Sequence, residues 1–315
     1  MNRVAVISNP KSHRNLHGST LSCFAHEPSF VAGMAAPATQ SELLTALTRF
    51  KEQDADILVI NGGDGTLRDA LSAMWRIDPD WRPALSLVPG GKTNLTAYDV
   101  GCVPHGAEGL RRIFDAARHN RLRRHTVTRP VMDIARPDVT GQHICGMFLG
   151  AGAFSAATEL ARNEANAIGL YHGLAVAWTI ASMVVRNMRG GAGGATPLSL
   201  NADGVEILNR DQFILIATTA NRIVMGLKPF WGAGDGAIRF TAIDGPPQNL
   251  ARALLPVLRG RPRQWMLSGG YNSGSANTLT LRLASRFTVD GELFDPGPSG
   301  RIEISARRTF DFVHP

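Results

Sequence analysis

The sequence predicts a protein of two domains, an α/β domain with a parallel sheet followed by a β-rich domain built as an antiparallel sandwich. Strand and helix patterns alternate through the first 125 residues, which is typical of βα units and a parallel sheet. Beyond that point most apolar segments are short and strand-like, which favours antiparallel pairing. At 315 residues, 44% of them hydrophobic, the chain is longer than one typical core and apolar enough for two.

The elements of the first domain follow from the spacing of their apolar residues. Short β-branched runs predict buried strands, whereas apolar residues three or four positions apart, such as Leu43 and Leu47, predict helices. Thr39 or Ser41 is placed to cap the first helix. In chain order, strands are expected at 4–8, 57–60 and 84–88, and helices at 40–50, 66–76 and 106–118.

The second domain is expected to consist mainly of strands. One long helix, roughly 155–188, interrupts them. The strands are expected at 127–135, 143–149, 198–203, 211–219, 237–243, 263–267, 277–283 and 286–290.

Composition excludes several classes of protein. Cys23, Cys102 and Cys145 are an odd number without the spacing of metal ligands, so they fit buried thiols in a reducing compartment better than a disulfide framework. Nine histidines show no spaced metal pair, which argues against zinc. No signal-peptide pattern is present, and the most apolar helical stretch, 170–185, is too short to cross a bilayer. A cytoplasmic protein is therefore expected.

The most informative feature is a glycine-rich turn, Gly62–Thr66, directly after the strand expected at 57–60. Its three glycines permit positive φ and let backbone N–H groups approach a ligand closely. The turn opens onto a helix, whose first N–H groups lack partners and whose dipole is positive there, so it predicts an anion site. Asp64 adds a carboxylate beside the anion, which makes sense if a divalent cation or a hydroxyl proton has to be handled.

Four stretches in a fixed order resemble the catalytic domain of the diacylglycerol kinase family, which includes sphingosine, ceramide and bacterial lipid kinases. Gly62–Leu67 resembles that family's nucleotide loop. Residues 4–12 are similar to the family's first strand and the Asn-Pro-x-Ser loop that follows it. Residues 85–94 are similar to its strand ending in Pro-x-Gly-Thr-x-Asn-Asp, and residues 287–292 to its strand ending in Asp-Gly-Glu. Because members of the family return the chain end to the first domain, the resemblance implies domains of 1–125 plus about 301–315, and of 126–300.

The resemblance implies that the first domain binds ATP, with Mg²⁺ bridging the phosphates. It assigns this role to Asn9, Thr39, Gly62, Gly63, Asp64, Gly65, Thr66, Gly91, Lys92, Thr93 and Asn94. Lys92 stands in place of the family's threonine, and Leu95 in place of its aspartate, which sphingosine and ceramide kinases also lack. Gly91-Lys92-Thr93 is not a Walker A motif, because position 86 is serine where that motif needs glycine.

The lipid acceptor is expected near the Asp-Gly-Glu motif. Phosphoryl transfer to an alcohol needs a phosphate cradle, a cation and a carboxylate near the acceptor hydroxyl. The resemblance assigns proton acceptance to Glu292, with Asp290 and Asp64 completing an acidic cluster. Taken alone, Asp290-Gly291 would be explained equally well by a surface β-turn.

A third acidic motif, Gly232–Ala237, resembles the segment where some bacterial members hold a structural Mg²⁺. The resemblance implies Asp235 and the carbonyl of Ala237 as ligands. Gly232 stands where a second side-chain ligand would be, so water would have to supply the remaining oxygens.

The net charge of +7 is concentrated in two clusters. Seven arginines against one acid lie between Arg111 and Arg129, and Arg259, Arg261 and Arg263 precede Trp265. Such clusters indicate an anionic membrane surface, and a solvated helix face is the alternative. No nucleic-acid-binding motif accompanies them, so nucleic acid is not expected as a partner. The sequence leaves open whether the protein forms a homodimer.

Taken together, the motifs predict a cytoplasmic, peripherally membrane-associated lipid kinase that uses ATP and Mg²⁺ to phosphorylate a diacylglycerol-like hydroxyl. A ceramide or sphingoid-base kinase is an alternative with the same chemistry. An NAD kinase shares Gly-Gly-Asp-Gly-Thr but carries a different Asn-Glu pair, and a non-catalytic nucleotide-binding regulator would account for the departures at Lys92 and Leu95. The identity of the lipid does not follow from the sequence.

Overall fold

The computed structural model describes residues 3–15, 30–159, 195–223 and 226–315. The chain forms two compact units. The first comprises Met1–Val131 and Arg308–Pro315, and the second comprises Met132–Arg307. The first unit therefore extends to Val131 and takes up the chain again at Arg308, rather than at 125 and about 301.

The first unit is built on a parallel sheet. Its strands alternate in sequence with helices, and their inward-facing residues are buried throughout β1 and β3. The spatial order is β15–β4–β3–β1–β2, and each neighbouring pair is parallel, with Phe312 of β15 opposite Leu85 of β4. The strands are β1 (Val4–Ser8), β2 (Val31–Ala35), β3 (Ile57–Gly62), β4 (Ala84–Pro89) and the last part of β15 (Arg301–His314).

Four helices of the first unit are α1 (Gln40–Glu52), α2 (Asp64–Ile77), α3 (Leu95–Val100) and α4 (Gly106–Arg118). The apolar stripe of α4, which includes Leu110 and Ile113, shares a buried core with Val4, Val6 and Val59. These strand residues are two apart and the helix residues three apart, so the two periodicities bring the apolar sides together.

The second unit is antiparallel. Its strands, in addition to the first part of β15, are β5 (His125–Ala135), β6 (Ile144–Gly146), β7 (Phe148–Gly152), β8 (Thr196–Ala202), β9 (Val205–Thr218), β10 (Ile238–Asp244), β11 (Tyr271–Ala276), β12 (Thr278–Leu283), β13 (Phe287–Val289) and β14 (Glu292–Phe294). In this unit β7 pairs with β9 and β13, β9 also pairs with β8 and β10, β8 pairs with β12, and β5 pairs with β6. Two helices that lie wholly within the described residues of this unit are α5 (Leu250–Leu258) and α6 (Gln264–Ser268).

The predicted fold class is confirmed, because parallel strands with helices precede an antiparallel β-rich region. The strand expected at 263–267 is wrong: Arg263 caps α6 and the other four residues lie in it, and the N–H of Met266 donates to the carbonyl of Arg263. The five residues of α6, between Arg263 and Gly269, are enough for one helical turn, and that turn buries Met266.

The helix expected over 155–188 is only partly within the described residues. Residues 153–159 are helical, and the remainder, including the stretch 170–185, lies outside them. Within the described ranges, no helix is both long and apolar enough to cross a membrane.

Candidate phosphate-binding site and acceptor motif

Three loops meet at the carboxyl edge of the parallel sheet, where β1, β3 and β4 end. The backbone N–H of Asn9 donates to the carbonyl of Asn61 at 3.0 Å, and that of Gly90 donates to the carbonyl of Gly62 at 2.8 Å. Arg14 closes the set by donating its N–H to the carbonyl of Gly90 at 3.1 Å. Because neighbouring parallel strands end at the same edge, motifs more than fifty residues apart in the chain are brought together.

Glycine is required where these loops touch. A Cβ on Gly62 would overlap the side chain of Thr66, whose hydroxyl accepts a hydrogen bond of 2.9 Å from Nδ2 of Asn9. A Cβ on Gly63 would stand 2.9 Å from Cα of Gly91, closer than real side chains approach. The glycines therefore serve first to let two backbones lie against each other.

The N-terminus of α2 is the part of this site that offers room for an anion. Gly63 is its N-cap and supplies no side-chain cap. The first N–H groups of a helix have no partners within the helix and attract anions. A Cβ added at Gly65 would find only the guanidinium of Arg68 within 4 Å, at 3.8 and 3.9 Å, so this side of the turn is not filled by neighbouring side chains.

Asp64 has a structural partner that the sequence did not reveal. Its carboxylate accepts hydrogen bonds from the N–H of Leu95 at 2.8 Å and of Thr96 at 2.9 Å, which are the first residues of α3. Burial raises the pKa of the Asp64 carboxyl, and the hydrogen bonds from Thr96 and Leu95 oppose that rise. The carboxylate thus holds the loop after β4 against the loop after β3, and its expected catalytic part stays a prediction.

The second half of the expected nucleotide site is a closed loop. Asn94 adopts a left-handed backbone, its Oδ1 accepts from the N–H of Gly91 at 2.9 Å, and its Nδ2 donates to the carbonyl of Gly91 at 2.8 Å. The amide of Asn94 is therefore engaged within the loop. The side chains of Lys92 and Thr93 are exposed and are the groups of this segment that can reach a ligand.

Thr39 lies beyond the carboxyl end of β2, on the same edge of the sheet. Its hydroxyl caps α1 by accepting from the N–H of Glu42 at 3.2 Å. Nζ of Lys11 donates to the carbonyl of Ala38 at 3.3 Å and so links this corner to the loop that carries Asn9. A direct contact of Thr39 with nucleotide stays a prediction.

The Asp-Gly-Glu motif belongs to the second unit and forms a hairpin turn. Asp290 and Gly291 have φ of 47° and 82°, and they join β13 to β14 as a two-residue turn of the type that suits twisted strands. The Asp290 carboxylate accepts from the N–H of Phe148 at 2.9 Å and of Met147 at 3.1 Å. Glu292 is the first residue of β14 and is half-buried.

The segment expected to hold a structural Mg²⁺ offers one side-chain ligand, Asp235, and the site stays a prediction. Asp235 is exposed, and a Cβ at Gly232 would overlap the backbone of Gly274, so no side-chain ligand fits at that position. Among the described residues, no group of three acidic, His or Cys side chains gathers at Asp235. Mg²⁺ takes near-octahedral oxygen coordination, so water would have to supply the positions that the Asp235 carboxylate and the Ala237 carbonyl leave.

One basic residue of the site escaped sequence analysis. Arg68 lies one helical turn after Gly65, nearly buried, and its guanidinium pairs with Asp69 at 2.7 Å. A basic residue three positions after a glycine of the turn faces the same side of α2, and this spacing was the signal that could have found it. Its pairing with Asp69 offsets the positive charge that it brings to this turn.

Comparison with known proteins agrees with this arrangement. Residues 3–125 match the model of the diacylglycerol kinase catalytic domain. Over this segment the chain is similar to that family. The matched segment carries the loops that follow β1, β3 and β4, and no curated protein matches the chain.

Solved structures show the same fold over the whole chain. A provisionally assigned diacylglycerol kinase from Bacillus anthracis str. Sterne is 16% identical, with a TM-score of 0.66, and a diacylglycerol kinase from the same organism is 14% identical, with a TM-score of 0.60. Each comparison covers 100% of this chain and 97% of the other. Yeast NADH kinase complexed with NADH is more distant, at 12% identity and a TM-score of 0.51 over 100% and 84% of the chains. Identities this low show a shared fold.

Proposed function

We propose that this protein is an ATP- and Mg²⁺-dependent lipid kinase that transfers the γ-phosphoryl group of ATP to the hydroxyl of a diacylglycerol-like lipid. The observation that carries the proposal is the open, glycine-lined N-terminus of α2 within a diacylglycerol kinase catalytic domain. A helix N-terminus of this kind binds phosphate groups through its backbone N–H groups.

The phosphates are assigned to the turn Gly62–Thr66. Asn9 fixes the hydroxyl of Thr66, and the exposed Lys92 adds charge from the neighbouring loop. When bound with the nucleotide, Mg²⁺ neutralises charge on the transferred group. The remaining contribution of the chain is to position the phosphates, which is most of what this chemistry demands.

The proposal assigns the acceptor hydroxyl to Glu292. The Glu292 carboxylate orients this hydroxyl and accepts its proton on a carboxylate oxygen. Asp290 is a positioning residue in this proposal, because both of its oxygens accept backbone N–H groups of Met147 and Phe148. Asp64 plays the corresponding part in the first unit through Leu95 and Thr96.

A membrane is the proposed partner, and the second arginine cluster is its proposed contact. Leu255 and Leu267 are 54% and 63% exposed, although both belong to short apolar helices. Arg259, Arg261 and Arg263 between them are exposed, and no acidic residue occurs from 245 to 289. Each basic residue near an anionic surface contributes about 1 kcal/mol.

The first arginine cluster is the weaker candidate for that contact. Within it, Arg112 pairs with Glu108 at 2.9 Å, Arg121 with Asp115 at 2.8 Å and Arg129 with Asp99 at 2.7 Å. These pairs reduce the positive charge that this segment can present to lipid. A solvated helix face, the alternative reading of the sequence, describes it better.

The test is a phosphorylation assay with the purified full chain. Labelled ATP and Mg²⁺ are supplied with vesicles that carry diacylglycerol, ceramide or sphingosine in an anionic background, and separately with NAD. A labelled lipid in the organic phase supports the proposal, and comparison of the three lipids identifies the acceptor. Labelled NADP alone, or bound ATP without any product, would contradict it in favour of an NAD kinase or a regulator.

Glu292→Gln tests the assigned acceptor residue. Loss of a general base lowers rates by roughly 10²–10⁴-fold, so kcat should fall at least about 100-fold while ATP binding persists. Glu206→Gln is the matched control, because Glu206 is an exposed glutamate on a strand of the same unit. Equal activity in the two variants would remove Glu292 from the mechanism.

A further inference from the structure

Three side chains of the second unit lie together outside the proposed kinase site. Asp133, His143 and Cys145 each bring one atom capable of binding a metal, and these atoms lie within 4.8 Å of one another. Oδ1 of Asp133 is 3.4 Å from Sγ of Cys145 and 3.7 Å from Nε2 of His143. None of the motifs that indicated a kinase includes these residues.

Strand pairing sets two members of this cluster, and the third directly precedes β6. β5 and β6 are antiparallel, and Asp133 stands directly opposite Cys145 in their register, so the two side chains project from the same face. His143 lies just before β6 and precedes Cys145 by two residues, the spacing that places two side chains of an extended chain on the same face. The pairing of β5 with β6 therefore brings Asp133 and Cys145 together, and the extended approach to β6 adds His143.

We propose that Asp133, His143 and Cys145 bind a divalent transition-metal ion of the zinc type. With the usual Zn–O, Zn–N and Zn–S bond lengths, ligand atoms of a tetrahedral site lie roughly 3.4–3.6 Å apart. The separations of 3.4 and 3.7 Å are close to these edges, and Nε2 of His143 and Sγ of Cys145 lie within 4.8 Å of each other. A thiolate with an imidazole selects zinc or a similar transition metal over Mg²⁺ and Ca²⁺, which take oxygen ligands.

Burial and charge agree with this assignment. Cys145 is fully buried and Asp133 is 9% exposed, while the side chain of His143 is 11% exposed. A divalent ion with one thiolate, one carboxylate and one neutral imidazole has a net charge of zero, which suits a site with little water. Binding displaces the thiol proton of Cys145 to solvent, and the fourth tetrahedral position remains for water.

A metal at this site would lie next to the segment whose backbone N–H groups hold Asp290. Cys145 is followed by Gly146, at which a Cβ would stand 2.8 Å from Oδ2 of Asp290. The next two residues, Met147 and Phe148, donate the N–H groups that hold Asp290. The bound ion would fix the end of β6 from which these donors extend. This role does not depend on the kinase reaction.

The test uses Co²⁺ as the probe on the full chain, after metal has been removed with a chelator. A double variant, Cys23→Ser with Cys102→Ser, leaves Cys145 as the sole thiol. We expect one equivalent of Co²⁺, visible d–d bands of a tetrahedral ion, and a near-ultraviolet thiolate-to-cobalt band that Zn²⁺ abolishes. Adding Cys145→Ser to the double variant should remove the thiolate band.

The His143→Ala variant provides a second test, because replacing the buried Cys145 could also remove the thiolate band by unfolding the protein. Its side chain is at the edge of the site, so the folded protein should persist, as circular dichroism can verify, while Co²⁺ affinity falls at least tenfold. The proposal is overturned if the double variant gives no thiolate band, or if a folded His143→Ala protein binds Co²⁺ as tightly as its parent. Retention of Zn²⁺ by the wild-type protein through purification, measured by elemental analysis, would add support.

Discussion

Asp64 in the first unit and Asp290 in the second stand in similar glycine-flanked motifs, and both carboxylates accept two backbone N–H groups. Asp64 receives them from the start of α3, about thirty residues later in the chain, where the helix dipole also favours a negative charge. Asp290 receives them from the junction of β6 and β7, more than 140 residues earlier. The first joins neighbouring loops of one sheet edge, and the second holds a hairpin turn against a distant strand. Asp64 and Asp290, which the sequence predicted to be catalytic, thus each stabilise the backbone conformation of their own motif.

The largest expected effect is that of Asp290→Ala. Removing the carboxylate leaves the N–H groups of Met147 and Phe148 without this acceptor, and hydrogen bonds to charged groups contribute about 1.5–3 kcal/mol each, so we expect a loss of about 3 kcal/mol or more. Urea unfolding of the purified protein measures it. Asp290→Asn should lose less, because asparagine tolerates the positive φ and keeps one acceptor. Asp235→Ala, at an exposed Asp-Gly in the same unit, is the control and should change little.

Asp64→Asn should have a smaller effect with a distinctive pH dependence. Because burial raises the pKa of Asp64 in the folded protein, the folded state binds the proton more tightly than the unfolded state. The wild type should therefore lose stability relative to Asp64→Asn as the pH rises from 3.8 through the folded-state value. Unfolding free energies measured at several pH values test this.

Asp203 is expected to show the opposite dependence of stability on pH. Burial acts to raise its pKa, but hydrogen bonds from Asn277 and Thr278 outweigh it and lower the pKa below 3.8. Its contribution to stability is present above the ordinary pKa and is lost as the pH falls through the folded-state value. If Asp64→Asn and Asp203→Asn showed the same pH dependence, the contrast between buried and hydrogen-bonded carboxylates would be wrong.

The smallest effect on stability is expected for Gly65→Ala, which separates ligand binding from folding. The new methyl group would meet only Arg68, so stability should change by less than about 1 kcal/mol. It would stand in the space assigned to phosphate, and ATP affinity should fall roughly tenfold, equal to about 1.4 kcal/mol. Isothermal titration with ATP and a thermal unfolding curve measure the two quantities.

Gly63→Ala is the matched comparison for that variant. Its methyl group would press on Cα of Gly91 at 2.9 Å, and such overpacking costs about 1–3 kcal/mol. If a folded Gly65→Ala protein bound ATP as tightly as the wild type, the assignment of the phosphates to the turn Gly62–Thr66 would be wrong.

Much of the first unit could be predicted from the sequence because its signals are local. Strands β1 and β3 begin with four apolar residues, β4 is apolar except at Ser86, and α4 shows a regular apolar stripe. The error at α6 arose where five residues between turns fit a helix or a strand equally well. Periodicity cannot decide at that length.

The partners of site residues could not be predicted, because they depend on register and on distance in space. Nothing near Asp64 in the sequence indicates that Leu95 and Thr96 donate to it. The separation of His143 and Cys145 by one residue was visible, but a metal site needed Asp133 opposite Cys145 on another strand. Three ligand types scattered over thirteen residues resemble no spaced metal motif.

Strand β15 has a consequence for the order in which the protein can be made. Residues 308–315 belong to the first unit, where Phe312 pairs with Leu85 of β4 and Val313 joins the core of β1 and α4. A ribosome delivers this strand only after the whole second unit has been synthesised. The first unit therefore cannot complete its folding before the second unit has been synthesised, although N-terminal domains usually fold first. Until then this edge of β4 lacks its β15 partner, and an unpaired strand edge is open to pairing with other chains.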